Sequence, residues 1–333
     1  MAAERALQGR SVAGLRAVVT GGTSGIGYFV CEALAKQGIH VILAARDEEK
    51  GLEAVRKIRL ATGGQVSFET LELADLYSVS MFSVRMVRQY DKIDLLVLNA
   101  GMLAHTYEES EDGIEMTWHV NHVAGQALTM YLLPVLLSSK ESRVVAVASS
   151  GHYSLDFLSS YAHIFNVRAQ PMPRESWNQV SSYGASKAAN ILMAREIAQR
   201  YGDRGMRAFS VHPGFVATEF ATPRINAVQA SSQSAFVKWF LLNVVAPSTR
   251  LFWKWAPTTI SATQGAGVVL YPCLNENASL KVNGEYFSVI GGPINSSAAT
   301  MNLTTAKELW DATELLLLTQ EYKRRQQRAK RPR

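Results

Sequence analysis

A short apolar run over residues 17–20, AVVT, leads directly into Thr20-Gly-Gly-Thr-Ser-Gly-Ile-Gly27, and a helical pattern over about 26–37 follows. Glycines at such a junction let the chain turn tightly. They also let backbone N–H groups approach an anion at a helix N-terminus, where the helix dipole favours negative charge. A Gly-rich turn between a strand and a helix, at the head of the chain, predicts the first βαβ unit of a nucleotide-binding sheet. The spacing is GxxxGxG, on Gly21, Gly25 and Gly27, rather than GxGxxG.

The same rhythm continues downstream. HVILAA, VSFETLEL, LLVLNA, VVAVAS and AFSVHP read as further strands. Between them lie helical patterns over about 47–62, 78–90, 113–137 and 181–201. Strands with so little polar alternation are buried on both faces, which requires helices on both sides of a parallel sheet. The predicted architecture is α/β, a doubly wound parallel-sheet Rossmann fold in a single domain over 14–290. Within it, periodicity weakens and large apolar residues gather over about 219–257, which reads as a lid over the carboxyl edge of the sheet. A C-terminal extension with a helix follows over 291–320, then a basic tail over 321–333.

The charge distribution excludes one class of function. Of the net +6, seven Lys or Arg lie in the last twelve residues, leaving 27 basic against 28 acidic elsewhere. The body is neutral, and a short cationic tail without a recognition module or interleaved aromatics predicts no specific nucleic-acid partner. Cys31 and Cys273 stand far apart and predict neither a disulfide nor a metal site, in keeping with a reducing compartment. The first residues lack a long apolar core, so the expected location is cytoplasmic, or peripheral on an intracellular membrane.

Tyr183 and Lys187 are four apart at the start of the run YGASKAANILMAREIAQRY. On a helix they share a face. A phenol near pKa ~10 is a poor base at neutral pH, and a fixed cation within about 6 Å favours its phenolate. Taken alone, the spacing is better explained by a surface lysine beside a half-buried tyrosine.

TGGTSGIG, LNAG (98–101), the segment carrying His119-Val-Asn121, VASSG (147–151), YGASK and HPGFVATE (212–219) occur in the order of the short-chain dehydrogenase/reductase family, which this chain resembles. The wide spacing from serine to tyrosine, YGASKAANIL and PTTISATQGA resemble its retinol-dehydrogenase-like branch. The resemblance implies four catalytic residues. Ser150 would hold a carbonyl oxygen, Tyr183 would exchange its proton with that oxygen, Lys187 would lower the tyrosine's pKa and reach the nicotinamide ribose, and Asn121 would position a water leading from Lys187 to solvent. It also implies cofactor contacts from Gly21, Thr23, Ser24, Gly25, Ile26 and Gly27 at the phosphates and from Asn99, Ala100 and Gly101 at the adenosine ribose. Glu72 and Leu73 would lie at the adenine edge, and Pro213, Gly214, Val216 and Thr218 at the carboxamide. Glu72 departs from the aspartate common in the branch. His105, His119, His122, His152 and His212 lack ligand spacing and read as structural or substrate-proximal, with no metal.

Cofactor choice turns on the end of the second strand, Ala45-Arg46-Asp47. An acid at the strand end would bind a ribose 2′-OH, whereas Arg46 after Ala45 suits a 2′-phosphate, so the expected cofactor is NADP(H). The expected activity is hydride transfer between that nicotinamide and a small apolar alcohol or carbonyl substrate, such as a retinoid, steroid or lipid aldehyde. The alternatives are a cofactor-binding regulatory protein with little turnover and a sugar-nucleotide epimerase or dehydratase. Helices carrying Asn121 and Tyr183 often pair across a two-fold axis in the family, which implies a homodimer. The lid, with Trp239 and Trp253 among Phe and Leu, reads first as an apolar face packed on the substrate cleft; the alternative adds peripheral contact with an anionic membrane through the lid and the tail over 323–333.

Overall fold

The computed structural model describes residues 12–157, 174–214, 260–276, 282–289 and 292–329. The apolar runs form β1 (Arg16–Thr20), β2 (His40–Ala45), β3 (Val66–Thr70), β4 (Leu95–Leu98), β5 (Arg143–Val147) and β6 (Arg207–Val211). A two-residue strand, β7 (Tyr286–Phe287), which no apolar run announces, completes one edge. All neighbours pair parallel in the order β3-β2-β1-β4-β5-β6-β7. The direction of winding reverses between β1 and β4, and a crevice at the carboxyl ends of these strands is where such sheets bind ligands.

Helices α1 (Gly25–Lys36), α2 (Glu48–Thr62) and α6 (Ala262–Leu274) cover one face of the sheet. The other is covered by α3 (Leu76–Gln89), α4 (Ala124–Tyr131), α5 (Gln179–Tyr201) and α7 (Leu303–Ala329). Capping side chains set several boundaries. Asp75 accepts from the amides of Tyr77 and Ser78, so α3 starts two residues before the expected 78. Asn178 accepts from Val180 and Ser181, so α5 begins four residues before Tyr183. The third strand stops at Thr70 rather than Leu73, because the Glu72 carboxylate bonds the Ala74 amide at 2.9 Å and turns the chain.

The single helix expected over 113–137 is broken into pieces. Glu115 caps one turn (Met116–Trp118), a π turn (His119–Val123) follows, and α4 succeeds it. Pro134 lies at the start of a separate turn (Leu133–Leu136), having no N–H with which to continue α4. π turns concentrate at functional sites, and this one carries Asn121.

The helix of the extension continues past the expected boundary at 321. α7 runs on to Ala329, and Arg324 turns inward to Asp75 at 2.9 Å and Asp112 at 2.6 Å. That cation of the tail is therefore committed to the body. α7 also lies across α4 and α5, with Gln126 donating to the Trp310 carbonyl at 2.9 Å and Arg200 paired with Asp311. A dimer built on α4 and α5 would meet α7 first. Among the described residues no helix is long and apolar enough to cross a membrane. The proposed lid, 219–257, lies outside the described residues.

Candidate active site

The turn after β1 has the geometry of an anion cradle. Gly21 and Gly25 adopt left-handed φ of 68° and 55°. A Cβ on Gly27 would stand 2.3 Å from the Gly21 carbonyl oxygen and 2.5 Å from Asn99 Nδ2, so only glycine fits. α1 has no acidic residue in its first turn, and its N-cap, Ser24, makes no capping bond with its side chain. Its N-terminal dipole thus faces outward with no carboxylate to oppose a phosphate. Thr23 and Ile26 are half-buried beside the turn, and Ile26 packs on the core.

Asn99 closes the same corner from β4. Its Nδ2 donates to the carbonyls of Thr20 at 2.9 Å and Gly21 at 3.2 Å, while Thr20 Oγ1 accepts the amides of Asn99 and Ala100, both at 3.0 Å. Thr20 was not among the expected site residues, although it begins the glycine motif. Just after β2, Arg46 is exposed and forms no ion pair among the described residues. Asp47 instead caps α2, accepting from the Lys50 amide at 3.0 Å, and that bond holds its carboxyl below the ordinary range. Glu72 is spent on its own turn, and Leu73 is buried in the core.

At the other end of the crevice three elements converge on Gly101, which follows β4. A Cβ there would lie 3.2 Å from Lys187 Nζ and 3.3 Å from Asn121 Oδ1. Asn121 Oδ1 accepts the Met102 amide at 2.7 Å, and its Nδ2 donates to the Met102 carbonyl and Ser186 Oγ, both at 2.9 Å. Ser186, also unanticipated, passes its own proton to the Tyr183 carbonyl at 2.8 Å. Lys187 is buried, donates to the Val147 carbonyl at 3.0 Å and lies 5.6 Å from the centroid of the Tyr183 ring. Burial lowers its pKa to about 8.

Ser149 and Ser150 part company at the end of β5. Ser149 Oγ accepts the Gly151 amide at 3.1 Å and shapes the turn. Ser150 starts a 3-10 segment (Ser150–Phe157), half-buried, and its hydroxyl forms no hydrogen bond among the described residues. The turn lies against the tyrosine, since a Cβ on Gly151 would be 3.3 Å from Tyr183 Cε1. Beyond β6, Gly214 has φ 92°, and a Cβ there would meet Ile260 Cδ1 at 2.7 Å. Val216 and Thr218 lie outside the described residues.

Glu115 is a third residue that the sequence did not single out. Fully buried, its carboxylate accepts from the amides of Thr117 and Trp118, from Ser182 Oγ at 2.8 Å and from Trp177 Nε1 at 3.2 Å. Of the histidines, His105 is exposed and 3.3 Å from Gln179 Nε2. Burial lowers the pKa of His119 and His152 to about 4 and of His122 and His212 to about 3. No group of three metal-ligating side chains occurs among the described residues.

A phosphate cradle at the switch point, together with a tyrosine–lysine pair at the crevice's other end, defines a nicotinamide-dependent oxidoreductase. Residues 16–163 match the family model described as short chain dehydrogenase, and 157–242 match one described as Enoyl-(Acyl carrier protein) reductase. The chain is 32% identical over 297 residues to retinol dehydrogenase 11 of Homo sapiens, covering 89% of this chain and 83% of that protein. It is likewise 32% identical over 312 residues to the WW domain-containing oxidoreductase of Homo sapiens, covering 93% and 70%. Among solved structures, L-sorbose reductase from Gluconobacter frateurii superposes with a TM-score of 0.64 at 20% identity, covering 86% of this chain and 98% of that one, which shows the fold. The chain belongs to the short-chain dehydrogenase/reductase family, in its retinol-dehydrogenase-like branch, and is an NAD(P)-dependent oxidoreductase acting on CH–OH and C=O groups.

Proposed function

We propose that this chain moves a hydride between NADP(H) and an apolar alcohol or carbonyl compound of the retinoid, steroid or lipid-aldehyde class. The observation that carries the reading is the convergence of Lys187 Nζ and Asn121 Oδ1 on Gly101, with the Tyr183 ring 5.6 Å from the ammonium. The nicotinamide supplies or accepts the hydride. Tyr183 gives its phenolic proton to the substrate oxygen in reduction and takes it back in oxidation. The ammonium of Lys187 favours negative charge on that phenol and, buried as it is, has a Coulombic reach that water does not screen. Ser150, whose hydroxyl forms no hydrogen bond among the described residues and whose neighbour Gly151 lies against the tyrosine ring, holds the same oxygen as charge builds on it. Asn121 fixes the loop after β4 and stands beside Lys187, where a water relays protons onward.

Several features support the phosphorylated cofactor. Arg46 is exposed at the ribose edge, no acid ends β2, and Asp47 is occupied by its cap. The solved relative named above is complexed with NADPH. Support for an apolar substrate comes from the retinol dehydrogenase 11 likeness and from the composition of 219–257. Peripheral membrane contact through that segment and the tail belongs to the same reading, less the charge of Arg324. The deciding experiment is an NADPH-oxidation assay over retinaldehyde, keto-steroids, medium-chain aldehydes and sugars. Turnover is expected with the first three groups, and turnover confined to sugars would overturn the substrate assignment.

A further inference from the structure

The carbonyl oxygen of Val147, the last residue of β5, accepts two side chains of α5. Lys187 Nζ lies at 3.0 Å and Asn190 Nδ2 at 3.3 Å. Asn190 is 2% exposed, and around it Ala189, Ile191 and Leu192 are buried and apolar. An apolar side chain would pack there without the cost of desolvating an amide. The amide therefore has a polar task. Among the described residues neither its Oδ1 nor His122 Nδ1 has a hydrogen-bond partner. Asn190 lies near enough to the His122 imidazole to raise its pKa against the larger, opposite effect of burial. His122 follows Asn121 in the π turn, and its Nε2 comes within 3.5 Å of Thr313 Oγ1 on α7. A buried polar line thus runs from α7 through His122 and Asn190 to the carbonyl that anchors the lysine.

We propose that Asn190 is a positioning residue for Lys187, fixing the Val147 carbonyl so that the ammonium stays beside Gly101 and Asn121. The inference rests on the reading of Lys187 as the cofactor's ribose contact. An amide holding one lone pair of the carbonyl leaves the other in a set direction, and the ammonium is held along it. Without Asn190 the carbonyl can swing, the bond to the charged amine weakens, and the neutral amine is favoured in a site where burial already opposes charge. Few other titratable groups bear on the lysine. Tyr183 faces it from α5 itself, the π turn presents Asn121 and, through Asn190, a His122 that burial keeps neutral at working pH, and β5 presents its backbone carbonyl.

The test is NADPH binding followed by fluorescence from pH 6 to 9.5, which needs no substrate. Wild type, Asn190→Leu, Asn190→Ser and Lys187→Met are compared. Wild-type affinity is expected to fall as pH rises through about 8, where the ammonium is lost. Asn190→Leu is expected to bind within about threefold of wild type at pH 6, with the fall displaced downward by about half a pH unit or more. Asn190→Ser admits a water that can donate to the carbonyl, so its fall should lie between the two; if the leucine variant does not fold, the serine variant decides. Asn190 variants whose affinity falls at the wild-type pH overturn the proposal while leaving Lys187 as the ribose contact. A wild-type profile as flat as that of Lys187→Met overturns the underlying reading instead.

Discussion

Ser182 Oγ donates to the Glu115 carboxylate at 2.8 Å, and this bond ties the segment that presents Asn121 to the helix that presents Tyr183 and Lys187. The same carboxylate caps the turn ahead of the π turn and receives Trp177. Glu115→Ala removes four hydrogen bonds at once and leaves three buried donors, on Thr117, Trp118 and Ser182, unsatisfied. Charged hydrogen bonds contribute about 1.5–3 kcal/mol each, but they share one acceptor here, so the expected loss is roughly 3–5 kcal/mol in total. Urea unfolding measures it, and a loss below about 1 kcal/mol would show that the node is not structural.

Tyr183→Phe keeps the ring and removes the transferable proton. Turnover should drop by about 10²–10⁴-fold while NADPH affinity stays near wild type. Single-turnover kinetics separate the two, and a variant that retains wild-type turnover contradicts the assignment of Tyr183.

The parts of this site that were legible in the sequence are those fixed by short-range pattern. Tyr183 and Lys187 meet because one helix holds both, and Gly21, Gly25 and Gly27 meet a strand end because one turn holds all three. What pattern could not show is pairing at a distance. Thr20 binds the amides of residues 79 and 80 positions away, and Glu115 meets Ser182 67 positions away. Nothing local marks either side chain as more than a cap. The break at 119–123 was hidden for a different reason: a π turn keeps the apolar spacing of a helix nearly intact, so 113–137 reads as continuous. β7 is too short to carry an alternation at all.

Ala45→Asp combined with Arg46→Ala places an acid at the end of β2 and removes the exposed guanidinium. Charge repulsion and the lost phosphate partner should weaken NADPH binding by about 10–100-fold and leave NADH binding equal or improved. Paired titrations with the two cofactors give the ratio. A wild type that already prefers NADH would show that Arg46 does not read the 2′-phosphate.

Four buried histidines make the fold acid-sensitive. His119, His122, His152 and His212 have folded pKa values of about 4, 3, 4 and 3, all below the ordinary 6.5. The unfolded chain takes up these protons first. Their contribution to stability is complete above pH ~6.5 and is lost progressively as pH falls toward 4, by about 1.4 kcal/mol per pH unit for each. Urea midpoints at pH 7.5, 6 and 5 should fall steeply across that window at constant m. His152→Gln should make the slope shallower by about one proton. A midpoint unchanged between pH 7.5 and 5 would show that these imidazoles are protonated in the fold.

α7 decides the quaternary state. It lays Ala306, Leu309, Trp310 and Leu317 against the core that α4 and α5 share, and all four are buried. An isologous dimer through α4 and α5 would have to displace them, so the full chain is expected to be monomeric with respect to that face. Ending the chain before Leu303 would uncover Trp310's seat, break the Gln126 and Arg200 contacts and free Asp112 of its arginine. Uncovered apolar surface of that size seeks a partner. Sedimentation at micromolar concentration should therefore give a monomer for the full chain and self-association for the shortened one. A full-length dimer that crosslinks between positions on α4 and α5 would mean that α7 moves aside on assembly.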